Sequence, residues 1–182
     1  RLAESGEVPA ALQGPLWAEA DTHEIMPTFP CGTHICEVAV DPDTGEIEIL
    51  RYAAIDDVGI IINPLLVDGQ THGGIVQGAG QVLMEDCTYD PSGQYLAGSF
   101  MDYALPRPGD FPSFHVGNHE MHSPGNPLGF KGAGEGGTTG ALPSICNAVM
   151  DALKPFGVRH IDMPLTPHRV WRAIHDARTS AA

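Results

Sequence analysis

GTHICEVAVDPDTGEIEILRY, residues 32–52, decides the fold. Positions 32–40 alternate apolar and polar side chains, Asp41-Pro42-Asp43-Thr44-Gly45 supplies turn residues, and the alternation resumes over 46–52. A strand sends successive side chains to opposite faces, so this pattern predicts a β-hairpin with one face toward a core. Downstream, Asn63-Pro64 has the chemistry of a helix start. The Asn carbonyl can accept an orphan backbone amide, and the missing N–H of proline costs nothing at the first helical position. A helix is expected from there to about Glu85, and it contains Gly69, Gly73, Gly74, Gly78 and Gly80. Each glycine inside a helix costs roughly 0.5–1 kcal/mol relative to alanine. Five of them require compensation, by close packing against another backbone or by approach of a bulky ligand.

Further out, residues 87–89 and 95–100 flank the turn Asp90-Pro91-Ser92-Gly93 and predict a second hairpin, with a short strand at 114–119. Residues 121–137 read as a Gly-rich loop, after which Thr138 or Thr139 can cap a helix to about Lys154, with Pro143 tolerable only near its first turn. Ile145, Val149, Ala152 and Leu153 give that helix an apolar face, and Gly157 ends it. A strand over 158–163 and a last helix from Thr166-Pro167, carrying Val170, Trp171 and Ile174, complete the chain. Trp17 and Trp171 are expected in a core or interface. Hairpins with a few helices and no regular alternation indicate an α+β architecture: β-hairpins packed with a Gly-rich helix and with a second helix behind the 131–139 loop.

With 182 residues and 42% hydrophobic content, the chain is long enough for one sizeable core. Nine Lys and Arg stand against 23 Asp and Glu, a formal charge of -14, which opposes binding to nucleic acid. Cys31, Cys36, Cys87 and Cys146 form no CxxC pair, so neither a zinc ribbon nor a disulfide scaffold is indicated, and reduced thiols are expected. No apolar run reaches the ~20 residues of a membrane span, which suggests a cytoplasmic protein. The first residue is not methionine, and the opening resembles an exposed helix end. A fragment or one piece of a split subunit is therefore expected over 1–182.

The densest chemistry lies in Lys131-Gly132-Ala133-Gly134-Glu135-Gly136-Gly137-Thr138-Thr139. It satisfies GxGxxG, but a dinucleotide fingerprint needs a hydrophobic strand immediately before it, where this chain has Asn126-Pro127-Leu128-Gly129-Phe130. Glu135 would also oppose a pyrophosphate. No Walker A spacing and no GxSxG elbow occur, and the nine histidines lack diagnostic metal spacing, so no protein-ligated metal is assigned. A carboxylate framed by glycines complements the dipole of the helix that follows, while the absent side chains leave its flank open. Glu135 is thus a general base, or it caps the helix or pairs with Lys131. The residues alone leave both open.

Taken together, Phe29-Pro30-Cys31-Gly32-Thr33-His34, Asp56-Asp57-Val58-Gly59 with Ile62-Asn63-Pro64, Gly69-Gln70-Thr71-His72-Gly73-Gly74 with Gln77-Gly78, Gly98-Ser99-Phe100-Met101-Asp102-Tyr103-Ala104-Leu105-Pro106, and Lys131-Gly132-Ala133-Gly134-Glu135 with Asn147-Ala148-Val149 are similar to the molybdenum hydroxylase large subunits. That is the xanthine dehydrogenase, aldehyde oxidase and carbon monoxide dehydrogenase family. The resemblance implies a C-terminal part of a larger molybdopterin-binding domain, a molybdenum–molybdopterin cofactor in its cytosine dinucleotide form, and oxidative hydroxylation of an aldehyde, N-heterocycle or related small carbon centre with water. It makes Glu135 the base that deprotonates the oxygen nucleophile and sets Gln70 against the pterin, with Gly69, Gly134 and Lys131 as further cofactor contacts. It also implies that 2Fe-2S and FAD groups reside on partner chains or domains, and that the rest of the large subunit and the iron-sulfur and flavin subunits are partners. Gly136-Gly137 stands where the purine enzymes carry prolines, so the chain looks nearer the bacterial branch. A non-catalytic homologue acting as a binding or assembly module is the alternative.

Overall fold

A computed structural model of the chain describes residues 26–180 together with positions 9 and 19. The quoted hairpin is its central feature. Strand β1 (Cys31–Val40) pairs antiparallel with β2 (Ile47–Asp57), and β3 (His115–Asn118) adds to β2 in parallel, giving the order β1-β2-β3. Asp41 folds the connection, its carboxylate accepting from the Asp43 amide at 2.8 Å, while Gly45 adopts the left-handed conformation at φ 77°. Between Glu37 and Val38 the register slips, leaving Leu50 unpaired opposite them. The bulge puts Leu50 and Arg51 outward in succession and returns Tyr52 to the inner face beside Ile49.

Helix α1 (Pro64–Leu83) begins as predicted, the Asn63 side chain accepting from the Leu66 amide. Helix α2 (Gly136–Leu153) packs on α1 and on β1, and its Ala141, Ile145, Val149 and Leu153, four residues apart, are fully buried against Ile75, Ala79, Val82, Tyr52 and Ala54. Helix α3 (Pro167–Ser180) closes the far end with Val170 and Ile174 buried and its start against the Gly45 turn. Sheet and helices make the expected mixture, with one hairpin rather than two.

Three expectations are corrected. The second hairpin is reduced to a single bridge between Tyr89 and Tyr95: Ala97 is buried, but Tyr89, Leu96 and Phe100 stay exposed and no further strand among the described residues pairs with its arms. Residues 158–163 form no strand, as only Val158 is buried and no sheet edge runs beside them. Helix α2 starts at Gly136 rather than behind a threonine cap, because the Thr138 hydroxyl donates to the Gly74 carbonyl of α1 at 3.1 Å, and Pro143 consequently falls in the helix interior. Trp171, expected in a core or an interface, is 40% exposed and stacks on His175, which places it outside this chain's core. Trp17 and the opening residues lie outside the described residues.

The helix glycines divide by surroundings. A Cβ on Gly74 would lie 2.9 Å from the Thr138 backbone nitrogen, and one on Gly78 would meet the Ala141 Cβ at 2.7 Å, so these two set the helix spacing. Gly69 and Gly73 face open space. Gly74→Ala should therefore destabilise by about 1–3 kcal/mol through overpacking against backbone that cannot yield, whereas Gly69→Ala should be neutral or stabilising by up to about 1 kcal/mol. Urea midpoints of the two variants check this, and equal shifts would contradict it.

Candidate functional site

The loop that precedes α2 is fastened to the end of β2. Asp57, the last residue of β2, accepts from the Gly59 amide at 2.9 Å and the Met121 amide at 3.1 Å through one oxygen, and from Lys131 Nζ at 2.5 Å through the other. Both side chains are nearly buried. Backbone bonds add to the clamp: the Lys131 amide donates to the Val58 carbonyl at 2.8 Å, and the Ile60 amide to the Gly129 carbonyl at 3.0 Å. Burial alone would raise the Asp57 carboxyl, but Lys131 and the two amides more than offset it and hold it down to about 2. Lys131 therefore points at Asp57, not at Glu135, and its place is to anchor the loop.

Glu135 sits at the N-cap position of α2 with φ -119° and ψ 0°, is exposed, and makes no capping bond through its side chain. Of the two roles left open for it, helix cap and partner of Lys131 are thus both unused. Gln70, one turn inside α1, donates from Nε2 to the Gly134 carbonyl at 2.7 Å, which brings Gln70, Gly134 and Glu135 together. Gly69, Gly73, Gly132 and Gly134 have nothing within 4 Å of where a Cβ would stand. A bare, backbone-lined flank therefore runs from the exposed side of α1 to the loop.

Gly132, Gly134 and Glu135 also line a cavity of about 430 Å³, together with Cys31, His34, Asp56 and Thr139. Its floor is a hydrogen bond, His34 Nε2 to Asp56 Oδ1 at 3.0 Å, both side chains under a tenth exposed. The sequence quoted His34 and Asp56 for their resemblance without giving them a role. Two signals were available: a histidine in phase with the inward-facing Cys36, Val38 and Val40, and a tandem Asp56-Asp57 directly after the apolar run Ala53-Ala54-Ile55. Among the described residues no three His, Cys, Asp or Glu side chains gather as a metal set.

Because the Asp57 carboxyl is lowered in the folded protein from 3.8 to about 2, its contribution to stability is complete above pH ~4 and is lost as the pH falls toward 2. Lys131→Met leaves that carboxylate buried without its cation and should cost about 3–5 kcal/mol at pH 7. The deficit should shrink as acid neutralises Asp57, and Asp57→Asn should partly rescue it at pH 7. Urea midpoints at pH 7 and pH 3 read the effect, and equal midpoints of wild type and Lys131→Met at pH 7 would refute the anchor.

The family described as "Molybdopterin cofactor-binding domain" matches residues 3–112. The chain is 37% identical over 149 residues to the carbon monoxide dehydrogenase large chain of Hydrogenophaga pseudoflava, covering 82% of this chain and 19% of that one. It is 38% identical over 170 residues to the nicotine 6-hydroxylase large subunit of Paenarthrobacter nicotinovorans, covering 93% and 21%. A solved structure of reconstituted CO dehydrogenase from Oligotropha carboxidovorans superposes with a TM-score of 0.80 at 35% identity, over 84% of this chain and 19% of that one. The chain thus spans about a fifth of these relatives' length. No helix among the described residues is long and apolar enough to cross a membrane. Sequence and fold agree that the chain belongs to the molybdopterin cofactor-binding family of the molybdenum hydroxylase large subunits.

Proposed function

We propose that this chain is the C-terminal part of the molybdopterin-binding domain of a cytoplasmic molybdenum hydroxylase, which hydroxylates an aldehyde, N-heterocycle or related small carbon centre with water, and that Glu135 is its base. The observation that carries this reading is the state of Glu135: a carboxylate at a helix N-terminus, exposed, with no capping bond through its side chain and no cation partner among the described residues, and set between Gly134 and Gly136. A residue serving only the fold would spend that carboxylate on the free amides behind it.

The flank suits a large, flat cofactor. Gly69, Gly73 and Gly134 leave room that any Cβ would begin to fill, and the exposed Gln70 amide, already bonded through Nε2 to the Gly134 carbonyl, keeps its oxygen available as an acceptor. Gln70, Gly69 and Gly134 would hold the pterin, in the cytosine dinucleotide form, while Lys131 supports the loop from behind. When bound, this group supplies the two-electron acceptor for the oxidation. Glu135 takes the proton from the attacking oxygen at a carboxylate oxygen, and the clamp formed by Asp57 and Lys131 keeps the loop from moving as it does so.

Electrons would leave through 2Fe-2S and FAD groups on partner chains or domains. Leu65 and Met101, 80% and 96% exposed, with Phe29, Ile62, Leu66 and Phe100 also outside, give this chain apolar surface that the remainder of the large subunit would cover. In the assembled enzyme, Glu135→Gln should retain molybdenum and pterin while turnover falls about 10²–10⁴-fold. Steady-state kinetics normalised to metal content decide the matter, and near-wild-type turnover would remove the assignment.

A further inference from the structure

The Glu135 carboxylate makes no hydrogen bond among the described residues, so its direction follows from how the first turns of α2 are held. One side of them rests on α1 through Gly74, Gly137 and the Thr138 hydroxyl. An adjacent part of the same inward face, at Gly140 and Ser144, meets a buried polar chain that plays no part in the clamp at Asp57 or in the base itself. His34 Nε2 bonds Asp56 Oδ1 at 3.0 Å, His34 Nδ1 bonds the Tyr52 hydroxyl at 2.7 Å, and that hydroxyl bonds Ser144 Oγ of α2 at 3.0 Å. Ser144 also reaches the Ala141 carbonyl at 3.3 Å.

We propose that this chain of bonds positions Glu135, with His34 as its central positioning residue: it fixes the register of α2 against β1 and β2, and so the point at which the base leaves the helix. Three features of the molecule support this role. The glycines are placed for it, since a Cβ on Gly140 would lie 2.3 Å from His34 Nδ1 and one on Gly32 would lie 1.9 Å from Asp56 Oδ1. The helix can approach the imidazole, and the strand the carboxylate, only because those side chains are missing.

Second, one consistent assignment satisfies the groups: His34 Nε2 donates to Asp56, Tyr52 donates to His34 Nδ1, and the single Ser144 proton is shared between the Tyr52 oxygen and the Ala141 carbonyl. Burial pushes the Tyr52 phenol up to about 12, so it keeps the proton this arrangement needs. Third, Tyr52 is wholly buried and sits among apolar side chains that would pack as well around a purely hydrophobic contact. Buried polar chains seldom gain stability over apolar packing; what they add is directional constraint. That constraint falls on the helix whose first residue follows Glu135.

This inference rests on the reading of Glu135 as the base, and the two can fail separately. Tyr52→Phe removes one hydroxyl and keeps the ring, so the fold should survive. In the assembled enzyme, kcat per molybdenum should fall about tenfold with KM within twofold and with molybdenum and pterin content unchanged, since a misplacement on the order of 1 Å can cost up to about 10²-fold. Amide hydrogen exchange over residues 136–144 should quicken while that of α1 does not. Ser144→Ala should give the same losses, and the double variant no more than either alone, because both cut the same chain.

Unchanged kcat and exchange in Tyr52→Phe would overturn the proposal, as would a parallel loss of molybdenum, which would mark the chain of bonds as merely structural. Quickened exchange with unaltered kcat would overturn it too, since the turn would then be loosened without consequence for the base. If Glu135→Gln remained active, the reading of the base would fail whatever the exchange data showed.

Discussion

Two helices in this protein touch backbone to backbone. Where Gly74 of α1 meets Gly137 of α2, a side chain on either would lie about 3 Å or less from main-chain atoms of the other helix. That approach decides where α2 begins, because the Thr138 hydroxyl, which could have capped the helix, bonds to α1 instead. The helix then starts behind Glu135. Once that is fixed, the remaining features of the site act as fastenings on the same short segment. Gln70 holds the Gly134 carbonyl, Asp57 holds Lys131, and the imidazole of His34 fits into the space left by Gly140.

Glycine therefore serves two opposite purposes along one helix. Gly74 and Gly78 are filled by a neighbour, and Gly69 and Gly73 are left bare. The cost in helix stability is similar at each position, but only the first pair recovers it within the chain. For the second pair no neighbour among the described residues supplies the compensation, which suits the cofactor proposed for that flank.

Much of the fold was legible in the sequence because its signals are local. The period-two pattern on either side of Asp41 to Gly45 and the Asn63-Pro64 start depend on residues within a few positions of each other, and both elements stand as predicted. Signals that depend on distant partners were not legible. Turn residues at 90–93 fold as expected, yet they cannot build a hairpin without a sheet to join. Thr138 looks like a cap until α1 lies beside it. Of the site, Glu135, Gln70 and Gly134 do come together, whereas Lys131 turned to an aspartate 74 residues away and the His34–Asp56 pair joined residues 22 apart. A polar residue's partner is set by the tertiary fold, and no pattern in the neighbouring sequence announces it.

The central claim is that the bare flank beside Glu135 is where the molybdenum cofactor binds. Anomalous diffraction at the molybdenum absorption edge, on crystals of the complete assembled enzyme, tests it most directly. The account predicts a single strong peak beside the Glu135 carboxylate, with pterin density along Gln70, Gly69 and Gly134. A peak elsewhere, or none from metal-loaded protein with Glu135 buried against polypeptide, would contradict it.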